Sequence, residues 1–408
     1  MTSRSLRLKL RLSSGLALVA TALAVAPATP TTRVPVVTKR AVLPQIAMSS
    51  IQPSIANDRA IKLGSIGSGL FRINADEYWT ITDRGPNADA GDLKTFILPE
   101  FTPHLVRIRV RGNTLDVRQS IAITTPDGEP VTGLPNFPKK DDPKPVLSDG
   151  TTDTNYNPNG IDTEGVVRTA DGHFWIVEEY GPSILELDRL GHVLQRFVPA
   201  GTESSYSKVA QLDGSTVSVA YPVIGSLPSG LSKRRANRGF EDIVLMPDGH
   251  TVVVALQSPI DKSSLVTRLV TFDTTPGRAT GSVGYQFDDP STFDSGEAES
   301  KDLKISALVP IDSTHIAVEE RTDDEARFYI VAPRQPDGVI AGSDKFALAD
   351  LGGLTDVPGK IEGAAFRGRH TLIVIADNDF GFTNKLYPVG ADVDSSKEPT
   401  ILAAIRLR

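Results

Sequence analysis

The chain contains no cysteine among its 408 residues. That excludes a disulfide framework, thiolate-bound zinc, iron–sulfur clusters and a cysteine nucleophile. Tryptophan occurs twice and histidine six times, while acidic residues outnumber basic ones by 50 to 43, a net charge of −7. An acidic chain this poor in indole rings is not built around a nucleic-acid groove. Sustained helical periodicity is also missing, and so is any apolar run long enough to span a bilayer. What remains is ordinary for a soluble globular protein, 39% hydrophobic and 23% charged. The length calls for two domains or one repetitive closed architecture.

The first 12 residues carry Arg4, Arg7, Lys9 and Arg11 with no acid, followed by an apolar run from Leu16 to Ala26. This is the pattern of a secretory signal peptide, with small-x-small cleavage patterns at Ala24–Ala26 and Ala26–Ala28. We expect residues 1–28 to be the signal peptide, 29–50 a flexible leader and 51–408 the folded domain. Removing the signal takes away four positive charges. With no cysteine for lipid attachment, the mature protein should be secreted or periplasmic and free of the membrane.

Short Val/Ile/Leu/aromatic runs punctuated by Asp-Gly and other turn residues, with 34 Gly and 29 Pro, read as all-β. One phrase recurs: an apolar strand, a polar turn, a second apolar strand, then acids or amides. Its copies are GLFRINADEYWTITDRGPN (69–87), EGVVRTADGHFWIVEEYGP (164–182), EDIVLMPDGHTVVVALQSP (241–259), ISALVPIDSTHIAVEERTD (305–323) and EGAAFRGRHTLIVIADNDFG (362–381). They lie 56 to about 95 residues apart, too irregular for a strict solenoid but compatible with propeller blades. The expected fold is a single β-propeller of six blades, although only five copies are legible. Residues 128–160, dense in Pro, Asp, Lys and Asn, read as a long inserted loop.

A residue that opens the first strand of a hairpin meets one that closes the second at the same end. Glu164, Glu241 and Glu362 open hairpins, with Lys360 just before the last. Asp83 and Arg84, Glu178 and Glu179, Gln257, Glu319 to Arg321, and Asp377 to Asp379 close them. Radially arranged blades would bring these groups to one mouth. Carboxylates packed side by side repel, so they need a shared proton or a cation, and calcium suits Asp, Glu, Asn and Gln oxygens best.

The phrases DRGPN (83–87), DTEGV (162–166), EEYGP (178–182), NRGFED (237–242), VEER (318–321), KIEG (360–363) and DNDFG (377–381) resemble, in order, a family of exported bacterial and plant proteins. It is the phytase-like family described as having esterase-like activity of phytase. The resemblance implies calcium-dependent hydrolysis of phosphate esters on a propeller similar to that of β-propeller phytases. One departure is Asp242, which stands where the family carries a Gly after the Glu.

A histidine-phosphatase RHGxRxP phrase and a GxSxG nucleophile elbow are both absent, and a lone S-x-x-K at Ser205–Lys208 lies in a polar loop. The expected activity is hydrolysis of a small anionic phosphate or carboxylic ester with calcium as cofactor. Glu164, Glu179, Glu241, Glu320, Glu362, Asp377 and Asp379 are the expected metal ligands. Glu179, Glu320, Arg84, Arg321 and Lys360 are the expected catalytic groups, and Arg84, Arg321, Lys360 and Asn378 the expected substrate contacts. Two other readings stay open: a metal-dependent lactonase, and a non-catalytic secreted propeller that binds a ligand or partner at its mouth.

Overall fold

The computed structural model describes residues 34–334, 338–382, 386–394 and 399–407. The expected signal peptide lies outside the described residues. Those residues are all-β: many strands, with a single five-residue α-helix at Glu203–Ser207 and short 3-10 turns.

The strands group into five units of antiparallel neighbours. Unit 1 comprises Ser68–Arg72, Glu77–Ile81, His104–Arg111 and Thr114–Ala122. Unit 2 runs Thr163–Arg168, Phe174–Glu178, Ser183–Leu187 and Val193–Pro199, with Val223–Leu227 added in parallel. Unit 3 is Phe240–Leu245, Thr251–Leu256, Val266–Asp273 and Arg278–Gln286, with Val339–Ile340 alongside. Unit 4 holds Leu308–Pro310, Ile316–Arg321, Ala326–Val331 and Phe346–Asp350. Unit 5 holds Ile361–Phe366, Thr371–Ala376 and Ile401–Arg406, and its fourth strand, Val36–Val42, comes from the other end of the chain. The leader expected over 29–50 is therefore corrected: its central part is a strand whose backbone is paired along Ile401–Arg406, and Ala41 is fully buried.

First strands touch in the cyclic order 1–2–3–4–5–1. The core follows the same cycle. One hydrophobic cluster lies between each consecutive pair of units, from Trp79, Ile81 and Phe174 between units 1 and 2 to Val106, Ile373 and Leu402 between units 5 and 1. Alternating side chains explain this, because each strand is apolar on both faces and each face meets a different neighbour. Units 1 and 5 also join at their outer edges through Val42 and Thr114, giving an eight-stranded sheet that curls nearly closed. Five hairpin units account for the cycle among the described residues; a sixth is not among them.

First strands approach closely where they carry glycine. A Cβ on Gly363 would lie 2.7 Å from the Gly69 backbone, and one on Gly69 would lie 2.8 Å from the Gly165 Cα. Asp242, in the corresponding place of unit 3, is buried with its carboxylate accepting from the backbone N–H of Ile243 (2.8 Å) and Leu308 (2.7 Å). It ties unit 3 to unit 4. The insertion 128–160 includes one strand, Lys144–Leu147, in a small sheet with Leu93–Phe96 and Asn87–Ala90.

Candidate functional site

One hydrogen bond recurs in all five units and sets the geometry of the rim. The backbone N–H closing each hairpin donates to a carbonyl just ahead of the first strand: Asp83 to Ser65, Glu179 to Asp162, Gln257 to Gly239, Arg321 to Lys304 and Asp377 to Lys360, at 2.9 to 3.3 Å. The closing side chains Asp83, Glu179, Gln257, Arg321 and Asp377 all line one cavity of about 270 Å³.

The opening positions lie two residues after those carbonyls: Gly67, Glu164, Glu241, Ser306 and Glu362. In units 2, 3 and 5 the strand pairing skips one residue there, and the residue left out is Glu164, Glu241 or Glu362. A β-bulge re-aims its extra side chain, and each of these three points a carboxylate into the cavity. In unit 1 a Cβ at Gly67 would meet the Ala376 carbonyl at 2.6 Å, so no side chain fits.

Among the described residues the lining carries eight carboxylates and six basic groups. They form a chain of contacts. Arg84 pairs with Asp162 (2.6 Å) and Glu179 (2.9 Å) and donates to the Asn237 side chain (2.7 Å). The Gln257 amide donates to Glu179 and Glu241, the Ser306 hydroxyl donates to Glu241 (3.0 Å), and Arg321 donates to Ser306 (2.9 Å) and Glu362 (2.7 Å). Lys360 pairs with Asp379 and lies 3.9 Å from Asp377. Lys360, Asp379 and Asn237 all have left-handed backbones, with φ of 51°, 46° and 50°, the kind of strain that collects at functional sites.

Burial and like charge drive the proton affinities. Burial, reinforced by neighbouring carboxylates, pushes Asp162, Glu164 and Asp377 well above the ordinary carboxylate range. Asp83 and Glu241 rise to about 7, chiefly through burial. Asp379 is also raised by burial, but its pairing with Lys360 outweighs this and holds it at about 2. Glu319 lies fully buried beside Arg321 with neither carboxylate oxygen hydrogen-bonded, and burial raises it strongly.

Two triads of oxygens fit a hard cation. One carboxylate oxygen from each of Asp162, Glu164 and Glu179 lies within 4.8 Å of the others, and the same holds for Asp83, Asp377 and Asp379. The buried Gln257 Oε1, in the same cavity wall, has no donor. An all-oxygen set of this kind suits calcium.

Of the expected site residues, Glu164, Glu179, Glu241, Glu362, Asp377, Asp379, Arg84, Arg321 and Lys360 meet in this cavity. Two do not. Glu320 points the opposite way, bonded to Tyr285, the Asp288 N–H and the ammonium of Lys345. Side chains alternate along a strand, and the repeat frame puts Arg321 at the rim, so its neighbour Glu320 faces the core between units 3 and 4. Asn378 is likewise one residue past the rim, and its side chain accepts from the Ser65 N–H (2.7 Å). The three basic groups point at carboxylates, not outward. The sequence reading missed Lys304, Lys94 and Arg238 in the cavity lining, and Asp162 behind it, paired with Arg84. Lys304-Ile-Ser306 repeats the frame of Lys360-Ile-Glu362, a signal that could have found the first lysine; Lys94 comes from a hairpin outside the repeat.

The family described as having esterase-like activity of phytase matches residues 61–380. The chain belongs to this phytase-like family. A protein of Arthroderma benhamiae (strain ATCC MYA-4681 / CBS 112371) described as an uncharacterized secreted protein is 28% identical over an alignment of 248 residues that covers 51% of this chain. The match takes in 47% of that protein, so the chain spans about half the length of the curated relative. Solved structures are more distant. The PQQ-bound aldose sugar dehydrogenase of Streptomyces coelicolor is 9% identical with a TM-score of 0.37, over 90% of this chain and 98% of its own. An exo-β-1,3-galactanase of Phanerochaete chrysosporium is 8% identical with a TM-score of 0.42, over 90% of this chain and 64% of its own. Among the described residues no helix is long and apolar enough to cross a membrane.

Proposed function

We propose that this phytase-like chain is an exported hydrolase of phosphate esters, or of other small anionic esters, acting at the acidic cavity with calcium bound. The observation that carries this reading is the set of three bulged glutamates lining one cavity, with two triads of carboxylate oxygens built largely on the same lining residues. The closed cycle of five units, each with its own rim residues, supports reading the fold as a five-bladed propeller, one blade fewer than the sequence led us to expect. Export rests on the N-terminal sequence pattern and on the description of the Arthroderma relative as secreted.

Asp162, Glu164 and Glu179 would form one cation set, and Asp83, Asp377 and Asp379 a second. Bound there, calcium supplies a Lewis acid for the ester oxygen and lowers the pKa of water. The chain's own groups do the rest. Arg84, Arg321 and Lys360 hold the carboxylates in place and offer charge to an incoming anion. Lys304 and Lys94, whose ammonium pKa values are lowered mainly by burial, bring further positive charge to the rim. Glu241, its pKa raised to about 7 chiefly by burial and its carboxylate held by Gln257 and Ser306, would take a proton from an attacking water and return it to the leaving oxygen.

The test is release of phosphate from phytate, and of 4-nitrophenol from its acetate and phosphate esters, in calcium and after chelation. We expect turnover of at least one ester in calcium, lost on chelation and restored by adding the ion back. Turnover that survives exhaustive chelation overturns the role of calcium. No turnover of any ester overturns the hydrolase reading in favour of a binding protein.

A further inference from the structure

A second cleft, of about 580 Å³, lies beside the acidic cavity and has the opposite electrostatic character. Its walls come from the insertion 128–160, the end of the second hairpin of the repeat and the connection after Val193–Pro199. Its charged lining consists of Lys139, Lys140 and Lys208, with no carboxylate among the lining residues, in a chain whose acids outnumber its bases. Lys139 is half-buried and donates to the carbonyls of Ser232 (3.2 Å) and Arg234 (3.3 Å), while Lys140 and Lys208 are exposed. Between them lies an apolar floor. The rings of Phe137 and Tyr206 meet edge to face at 4.7 Å, and Tyr206 is buried. A Cβ on Gly181 would fall 2.1 Å from the Tyr206 hydroxyl, so only glycine leaves room for that ring. The insertion contributes no lining to the acidic cavity; it shapes this cleft instead.

Tyr180 stands between the two sites. Its ring lines the cleft, and the Arg84 guanidinium of the acidic cavity lies 5.2 Å from its centroid. We propose that the cleft is a separate binding site for an oxyanion (carboxylate, sulfonate or phosphate) carried on an apolar or aromatic body. The lysines supply charge complementarity that the acidic cavity denies to an anion without a cation, and Phe137 and Tyr206 take the body by edge and face contacts. The S-x-x-K residues Ser205 and Lys208 both line this cleft, where the proposal gives them a binding role.

Calorimetric titration of the full chain with naphthalene-2-sulfonate tests this without reference to any activity. One site is expected, with affinity about tenfold or more above that for neutral 2-naphthol, a difference of about 1.4 kcal/mol. The double variant Lys140→Ala/Lys208→Ala should lose about tenfold in affinity with its melting temperature unchanged, since both side chains are exposed. Glu164→Gln, in the acidic cavity, should bind the probe as well as the parent chain. Equal binding of 2-naphthol, unchanged affinity in the double variant, loss of binding in Glu164→Gln, or no binding at all would each overturn the proposal.

Discussion

Two kinds of buried glutamate sit at the ends of these hairpins, and single residues separate them. Glu164 and Glu362 are bulged residues with their carboxylates in the cavity, on different units almost 200 positions apart in sequence. If each helps to hold calcium, Glu164→Gln and Glu362→Gln should each weaken calcium binding about tenfold or more and shrink the calcium-dependent rise in melting temperature. Linkage gives the scale: an ion bound only by the folded state contributes about 2.7 kcal/mol at a hundredfold excess over its Kd. Glu320→Ala should behave differently. It removes one of the two carboxylates that Lys345 meets, leaving Asp288, and also breaks the bonds of Glu320 to the Tyr285 hydroxyl and the Asp288 N–H. It should therefore cost about 1 to 3 kcal/mol equally in calcium and in chelator. Melting curves in both buffers distinguish the two cases; equal shifts for Glu164→Gln would make it a structural residue too. The sequence did not separate Glu320 from Glu179, because both follow a glutamate at the end of an apolar strand. Only the repeated backbone hydrogen bond reveals that Arg321, one residue later, is the counterpart of Glu179.

At the scale of elements, the bulge and the glycine after it act together. In units 2 and 5 the Glu-Gly pair turns the acid into the cavity while the glycine lets neighbouring first strands approach. Gly363→Ala would place a methyl 2.7 Å from the Gly69 backbone, where no flexible side chain can give way. It should lower stability by about 1 to 3 kcal/mol and also weaken calcium binding, because the strand carrying Glu362 must shift. Chemical denaturation and calcium titration of this variant check both effects, and normal calcium affinity at reduced stability would uncouple the bulge from the site. Glu-Gly was visible in the sequence as a recurring phrase. The bulge was not, since it depends on how the second strand pairs. The strand Val36–Val42 was missed for a related reason: its partner, Ile401–Arg406, lies at the other end of the chain. Its alternating burial looks unremarkable in a Pro- and Thr-rich context, and pairing across the full length leaves no local signal.

For the whole molecule, crowding of carboxylates in one cavity should make stability depend on pH, and on a cation as well if the proposed calcium binds there. Asp83 and Glu241 have folded pKa values near 7, against ordinary values of 3.8 and 4.5. Between those limits the folded chain holds protons that the unfolded chain has released, so their stabilising contribution is present below about pH 4 and lost as pH rises through 7. In chelator, stability should therefore fall by roughly 1.4 kcal/mol per pH unit for each such group between pH 5.5 and about 7, and the melting temperature should be lower at pH 8 than at pH 5.5. Calcium bound as proposed would favour the ionised forms and should flatten this dependence or reverse it. Melts at the two pH values, with chelator and with calcium, decide the matter; a melting temperature that rises with pH in chelator would count against a crowded, cation-free cavity.

The sequence by itself determined the all-β class, the five hairpin copies and most of the acidic rim, because those features are written in local alternation, turn residues and a repeated phrase. The family was legible for the same reason, as seven short phrases in order. Tertiary structure alone decided which face each rim residue takes, that the cycle closes with five units, and that the N-terminal strand completes the last of them. These depend on pairing register and on contacts between residues far apart in sequence, where a shift of one position moves a carboxylate from the cavity to the core. Lys94 and the lysine-lined cleft belong to the same class, since the hairpin and connections that carry them lie outside the repeat and give no sign of where the closed fold will bring them.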